Sequence, residues 1–194
     1  QIDSFKGDVE SALEHVDKAL VSNWINHKAR HLKVLLLRKK GRTEEALQFI
    51  EDSLQIDRFN FGVLFEKNKI SNSEKDLSVF KELLRDYEHN YIEFALDYAQ
   101  AGEFNTAIEL LSLFTEGKTQ YYPMIAYFKA YFYDQLGDAA AAKKYFAEAK
   151  QQPSDYCFPN RLEEVLVLKR ALEVDSEDAS AAYYLGNFWY ANKQ

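Results

Sequence analysis

Residues 126–153 read AYFKAYFYDQLGDAAAAKKYFAEAKQQP, and the spacing within this stretch decides the fold. Ala126, Ala130 and Tyr133 stand at i, i+4 and i+7, the period of a helix buried along one face. Gly137 interrupts the pattern, Asp138 supplies a helix N-cap, and Ala142, Phe146 and Ala149 resume the same period until Pro153. The stretch is therefore a helix, a tight turn and a second helix.

The same unit recurs along the sequence. Gly41 follows Gly7 by 34 residues, and Gly137 follows Gly102 by 35. An alanine stands five residues after each of these glycines, at Ala12, Ala46, Ala107 and Ala142. Seven residues further on come Ala19, Ser53, Phe114 and Ala149, so a mostly small stripe runs down each second helix and lets a neighbour approach closely. The partner helix is equally clear in residues 90–99, where Tyr91, Phe94, Ala95 and Tyr98 share one face. Thr43 and Asp138 are the expected N-caps of two second helices, and Ser73 with Asp76 marks a third helix start. Composition agrees: 3 Pro and 7 Gly in 194 residues are too few for the corners of a sandwich or barrel.

The protein is thus predicted to be all-α, about eleven helices in antiparallel pairs, over 8–21, 27–40, 43–55, 60–69, 75–86, 90–101, 104–115, 121–136, 139–150, 160–174 and 179–192. Residues 1–194 read as a single array cut at both ends, about 5.7 units of 34 residues, with irregular units near 56–86 and 151–175. The lone helix at 179–192 leaves Phe188 and Trp189 in search of packing, so self-association through this terminal face is expected.

The pattern resembles the tetratricopeptide repeat, whose positions are matched by Ala130, Tyr133, Gly137, Ala142, Phe146, Ala149 and Pro153. More narrowly, residues 56–61, 90–99, 155–163 and 183–187 look like the repeat region of large bacterial proteins that also carry an uncharacterised β-rich domain reminiscent of sugar-binding enzymes. The resemblance implies a right-handed α-solenoid with a concave groove lined by the first helix of each pair. Transferred onto this sequence, the groove positions fall on Lys28, His31, Leu35, Arg38 and Lys39, on Ile92, Leu96 and Gln100, on Tyr127, Tyr131, Asp134 and Gln135, and on Tyr183, Asn187 and Tyr190. Tyrosines among amides and a carboxylate suit an extended peptide and equally a sugar. A carboxylate clamp for chaperone tails is not expected, because only Asn187 matches it.

No constellation of catalytic residues emerges. His27 and His31 share a helix face at i, i+4, but Lys28, Arg30 and Lys33 surround them and a third ligand is missing, so two polar histidines are expected rather than a metal site. Cys157, the single cysteine, lies between Tyr156 and Phe158 and reads as a small packed hydrophobe, with Pro159 near the first position of the next helix. Neither a cofactor nor a metal is predicted.

A net charge of −7 argues against nucleic-acid binding, and no apolar run approaches the ~20 residues of a membrane span. Residues 28–42 run against this balance, with seven basic and no acidic side chains, and make a surface that could steer an acidic partner. One thiol leaves the compartment open, with a cytoplasmic setting the expectation. Two functional classes follow: a non-catalytic scaffold that binds a peptide, a protein or another domain of the same polypeptide, or an accessory domain of a carbohydrate-active enzyme.

Overall fold

The computed structural model describes residues 1–154 and 157–193, so Asp155 and Tyr156 of the motif quoted above lie outside the described residues. Among the described residues the protein is all helical, with twelve helices and no strand, as the periodicity requires. It forms two compact units, Gln1–Glu103 and Phe104–Gln194. The first holds α1 (Ile2–Phe5), α2 (Val9–Ser22), α3 (His27–Lys39), α4 (Thr43–Ile56), α5 (Phe61–Ser71), α6 (Glu74–Leu84) and α7 (Glu88–Gln100). The second holds α8 (Phe104–Thr115), α9 (Pro123–Gln135), α10 (Ala139–Ala149), α11 (Leu162–Val174) and α12 (Ala179–Ala191). Helices adjacent in sequence pack on one another: α2 on α3, α3 on α4 and α5 on α6 in the first unit, α9 on α10 and α11 on α12 in the second.

The turn that sets the period is the same each time. In the first such turn after a full helix pair, the N–H of Gly41 donates to the Arg38 carbonyl (2.9 Å) and that of Arg42 to the Leu37 carbonyl (3.0 Å). This is the left-handed helix stop that glycine permits, with Gly41 at φ +69. Gly7, Gly102 and Gly137 also have positive φ and make the corresponding pairs of bonds. Six of the described helices are started by a side-chain cap, at Asp8, Asn26, Asn60, Ser73, Asp138 and Asp178, each accepting from the N–H three residues on.

Two expected starts differ. Thr43 is the first residue of α4 rather than its cap; Arg42 occupies that position and makes no side-chain cap bond. Pro159 precedes α11 by three residues, and the helix is instead opened by the fully buried Glu164, which accepts from the N–H groups of Asn160 (2.7 Å) and Arg161 (2.8 Å). Because no helix intervenes among the described residues between Ala149 and Leu162, α11 packs back on α9 as well as on α12. Cys157 is buried in that connection, as expected for a small hydrophobe.

In the first unit the core begins with Ala12, Leu13 and Val16 of α2 against Leu36 and Leu37 of α3 and Ala46 of α4. It continues through Val34, Ile50 and Val63. Phe65 of α5 then packs on Phe80 of α6 with tilted rings at 5.1 Å and meets Tyr98 of α7 edge-on at 5.9 Å. Gly62 lets α5 approach α3: a Cβ there would lie 2.4 Å from the Cγ and Nδ1 of His31.

The two kinds of glycine make opposite demands. Gly41→Ala meets no neighbour and should lose only about 1 kcal/mol through its left-handed backbone. Gly62→Ala, in an ordinary helical conformation where alanine is normally preferred, should lose about 2 kcal/mol or more by driving a methyl into the His31 ring. Urea unfolding of both variants tests the order; a Gly62→Ala protein as stable as the parent would refute the close α3–α5 contact.

Candidate functional site

Helix α3, the turn into α5 and helix α7 border an open-sided pocket of about 290 Å³ in the first unit. Its walls come from three elements. α3 contributes His27, Lys28 and His31, the turn into α5 contributes Asp57, Phe59, Asn60 and Phe61, and α7 contributes Asn90, Glu93, Phe94 and Asp97. The α7 residues stand at i, i+3, i+4 and i+7, so a single helical stripe faces the space. Phe61 links the aromatic wall, edge-to-face with Phe59 at 6.4 Å and with Phe94 at 5.6 Å. Lys28 bridges to Asp97 at 2.8 Å, with the carboxylate side chain 7% exposed and the lysine 63% exposed. Asn60 is held by its cap bond to Val63 and by donation from its Nδ2 to the His27 carbonyl (3.3 Å).

His31 is among the most buried of these residues. It is 5% exposed, wedged over Gly62 and edge-on to Tyr98 at 4.8 Å, and its Nε2 is buried without a hydrogen-bond partner. Burial pushes its pKa below the ordinary histidine value of 6.5, and the pull of Glu66 and Asp97 does not offset it. The imidazole is therefore neutral at neutral pH.

Beneath the pocket lies a carboxylate with no exposure at all. Glu66 of α5 receives Arg38 of α3 through Nε at 2.6 Å and NH2 at 3.2 Å, and the Tyr98 hydroxyl of α7 at 2.7 Å. Burial opposes the Arg38 charge, but the Glu66 bonds more than offset it and raise the Arg38 pKa. Arg38 is thus a strut between helices rather than an open groove residue.

The other residues expected in the groove divide between core and surface. Tyr127 is wholly buried: its hydroxyl donates toward both oxygens of Asp178 at 3.1 Å, and burial raises its pKa. It packs between Phe146 and Tyr184 and offers no face to a ligand, because the helix bearing it is apolar nearly all round. Ile92 is likewise buried, one residue away from the stripe that lines the pocket. Asp134 pairs with Arg170 through two bonds of 3.0 and 2.9 Å, and Lys39 pairs with Glu103. Tyr131 and Asn187 are half-buried, and Gln100, Gln135, Tyr183 and Tyr190 are exposed.

The basic run 28–42 does not form an open positive surface. Lys28 pairs with Asp97, Lys33 with Asp17, Arg38 with Glu66, Lys39 with Glu103, Lys40 with Glu10 and Arg42 with Glu45. Arg30 is buried over the Phe49 ring, donating to Ser53 and to the Trp24 carbonyl. Each cation has a partner supplied by another element or by the next turn. His27 and His31 also part company: His27 is exposed with Asp57 at 3.8 Å, and His31 is enclosed. Among the described residues no group of three or more His, Cys, Asp or Glu side chains is arranged to hold a metal ion. None of the described helices is long and apolar enough to cross a membrane.

These features define a class, a helical-hairpin repeat protein with a pocket between α3, α5 and α7. Comparison with known proteins agrees: residues 27–60 and 125–154 match the family model of the tetratricopeptide repeat. The first match spans α3 to the cap of α5, and the second spans α9 and α10. The protein is also similar to mouse (Mus musculus) N-alpha-acetyltransferase 16, NatA auxiliary subunit, 29% identical over 117 residues that cover 57% of the present sequence. It spans 14% of that protein's length. The matches support a tetratricopeptide array; the bacterial, sugar-enzyme part of the resemblance is not among them.

The buried imidazole has a measurable consequence. A histidine with a lowered folded-state pKa leaves stability untouched well above pH 6.5, whereas below it the unfolded state takes up a proton that the folded state refuses. Stability should therefore fall as pH drops through this range. His31→Phe should show a smaller loss of Tm between about pH 7.5 and 5.5 than the parent; equal losses would mean that His31 protonates freely in the fold.

Proposed function

We propose that the protein is a non-catalytic binding scaffold that takes a peptide or protein segment on the inner face of its repeats. The observation that carries this reading is the pocket between α3, α5 and α7, where three phenylalanines, three carboxylates and two amides converge on about 290 Å³. Side chains that serve only packing would close such a space. Tetratricopeptide repeats generally mediate protein–protein contacts, and the two matched stretches support that role here. The similarity to a protein named as an auxiliary subunit supports a place in an assembly rather than at a reaction centre. In the second unit, Tyr131, Gln135, Tyr183 and Tyr190 retain exposed area for contacts of their own.

The pocket's elements are tied to one another by hydrogen bonds. Asn60 caps α5 and also grips the α3 backbone, and the Arg38–Glu66–Tyr98 cluster ties the three helices beneath it. A partner would then meet a preformed surface, which lowers the ordering cost of binding.

Phe94→Ala removes a ring from the aromatic wall and should weaken peptide binding at least tenfold, whereas Lys143→Glu on the exposed face of α10 should leave it unchanged. Screening the protein against peptide and glycan arrays, followed by fluorescence polarisation with the hits, measures both. Binding to glycans without any peptide binding would overturn the scaffold reading in favour of a carbohydrate-linked role.

A further inference from the structure

The pocket in the first unit has a chemical character that the scaffold role alone does not require. Three carboxylates, Asp57, Glu93 and Asp97, line it against the single ammonium of Lys28. An anionic group such as a phosphate or a peptide's terminal carboxylate would meet net repulsion there. A cationic group would meet attraction concentrated between low-dielectric aromatic walls.

We propose that this pocket receives the guanidinium of an arginine side chain presented by an extended partner segment. The inference rests on the scaffold reading and names the chemistry its partner would carry. Several features favour a guanidinium over an ammonium. Guanidinium is flat and stacks on aromatic rings, and the wall of Phe59, Phe61 and Phe94 offers such rings in one connected set. One of them already accepts this interaction, because the guanidinium carbon of Arg58 stands 4.6 Å from the centroid of Phe59. Guanidinium also carries five N–H donors in a fixed plane, enough to serve several acceptors at once. Lys28 takes Oδ1 of Asp97, and a carboxylate oxygen pair accepts more than one donor.

The independent observation is His31. Its Nε2 is buried without a partner in a side chain that is 5% exposed and lines the pocket. A buried polar atom left unpaired costs free energy, and a donor arriving from a ligand would remove that cost. A neutral imidazole has one donor and one acceptor nitrogen, and in the tautomer protonated at Nδ1 it is Nε2 that accepts, which suits a cationic donor. Size agrees as well: about 290 Å³ lies at the lower bound of ligand pockets, room for one long side chain with its flanking backbone.

The test uses the whole protein and four acetylated, amidated peptides, Gly-Ser-Gly-Xaa-Gly-Ser-Gly, with Xaa arginine, lysine, glutamine or glutamate. Affinities are read from chemical-shift titrations, which also locate the site. The arginine peptide should shift the resonances of His31, Glu93 and Phe94, bind at least tenfold more tightly than the glutamine peptide, and outcompete the lysine peptide; the glutamate peptide should not bind. Glu93→Gln and Asp57→Asn, both substitutions of accessible carboxylates, should each weaken the arginine peptide about fivefold while the circular dichroism spectrum stays that of the parent. Equal affinity for arginine and glutamine, or for arginine and lysine, overturns the assignment, as do shifts confined to another surface. An unacetylated glutamine peptide that binds as well as the arginine peptide would assign the pocket to a peptide's terminal ammonium and overturn it too. Peptides found on the arrays that contact α3, α5 and α7 without arginine would leave the scaffold standing and this inference refuted; absence of any peptide binding would refute both.

Discussion

Glu66 is the constraint around which the first unit is built. A carboxylate with no exposure costs several kcal/mol in lost hydration, and such a group persists only where its acceptor sites are filled. Here they are filled from two directions, by the fork of Arg38 on α3 and by the hydroxyl of Tyr98 on α7. Charge-assisted bonds are directional, so they fix the rotation of α3, α5 and α7 about their axes in a way that apolar contact does not. The rotation that brings Arg38 onto Glu66 also places His31, two turns earlier on the same helix, over Gly62. Asp97 and Tyr98 are neighbours on α7, one facing the pocket and the other facing Glu66. The polar cluster and the pocket are two faces of a single helix arrangement.

The second unit uses related means with a different result. Tyr127 donates to Asp178, and Asp178 also caps α12 through Ala181, so one carboxylate joins α9 to the start of α12. Arg170 of α11 grips Asp134 of α9 in a two-bonded pair that is more exposed than the one on Glu66. α9 is consumed by this packing: from Pro123 to Ala130 every residue is buried, including Lys129, whose ammonium lies over the Tyr145 ring at 4.4 Å. A helix so enclosed has little left for a ligand. In α7 the pocket stripe of Asn90, Glu93, Phe94 and Asp97 lies beside the core residues Tyr91, Ala95 and Tyr98, so one helix serves both purposes.

The periodic part of the fold was legible in the sequence because backbone sterics enforce it. A left-handed helix stop nearly demands glycine, and Gly7, Gly41, Gly102 and Gly137 all occupy one, so their spacing transmits directly to helix pairs. Caps were readable where a short acceptor was needed, as at Asp138 and Ser73, and failed at Thr43, where Arg42 holds the position without a side-chain bond. The groove was less legible. Its residues come from 27–31, 57–61 and 90–97, and the turn glycines Gly41 and Gly102 stand 61 residues apart, so no regular period fixes the phase of α5. Tyr127 and Tyr131 look alike in sequence, one turn apart, yet one is core and the other half-exposed, because Asp178 approaches from 51 residues away. The stripe Asn90, Glu93, Phe94 and Asp97 did carry a signal: polar residues at helical spacing around a phenylalanine, beside an apolar stripe, mark a face that meets something other than core.

The charge pattern shows how local reading and tertiary structure diverge. Seven cations in residues 28–42 suggest a basic surface, yet every one is matched within the unit by a carboxylate, a hydroxyl, a carbonyl or a ring. Most of these pairs are partly exposed and add little to stability, but they remove the positive field. The acidic charge at the pocket lies in Glu93 and in Asp57, which has His27 at 3.8 Å, with Lys28 already committed to Asp97. A run of basic sequence thus helps to build a site of acidic character: the cations of α3 are spent on holding helices together, and the acidic side chains that face inward from α7 and the α4–α5 turn set the potential a partner would encounter.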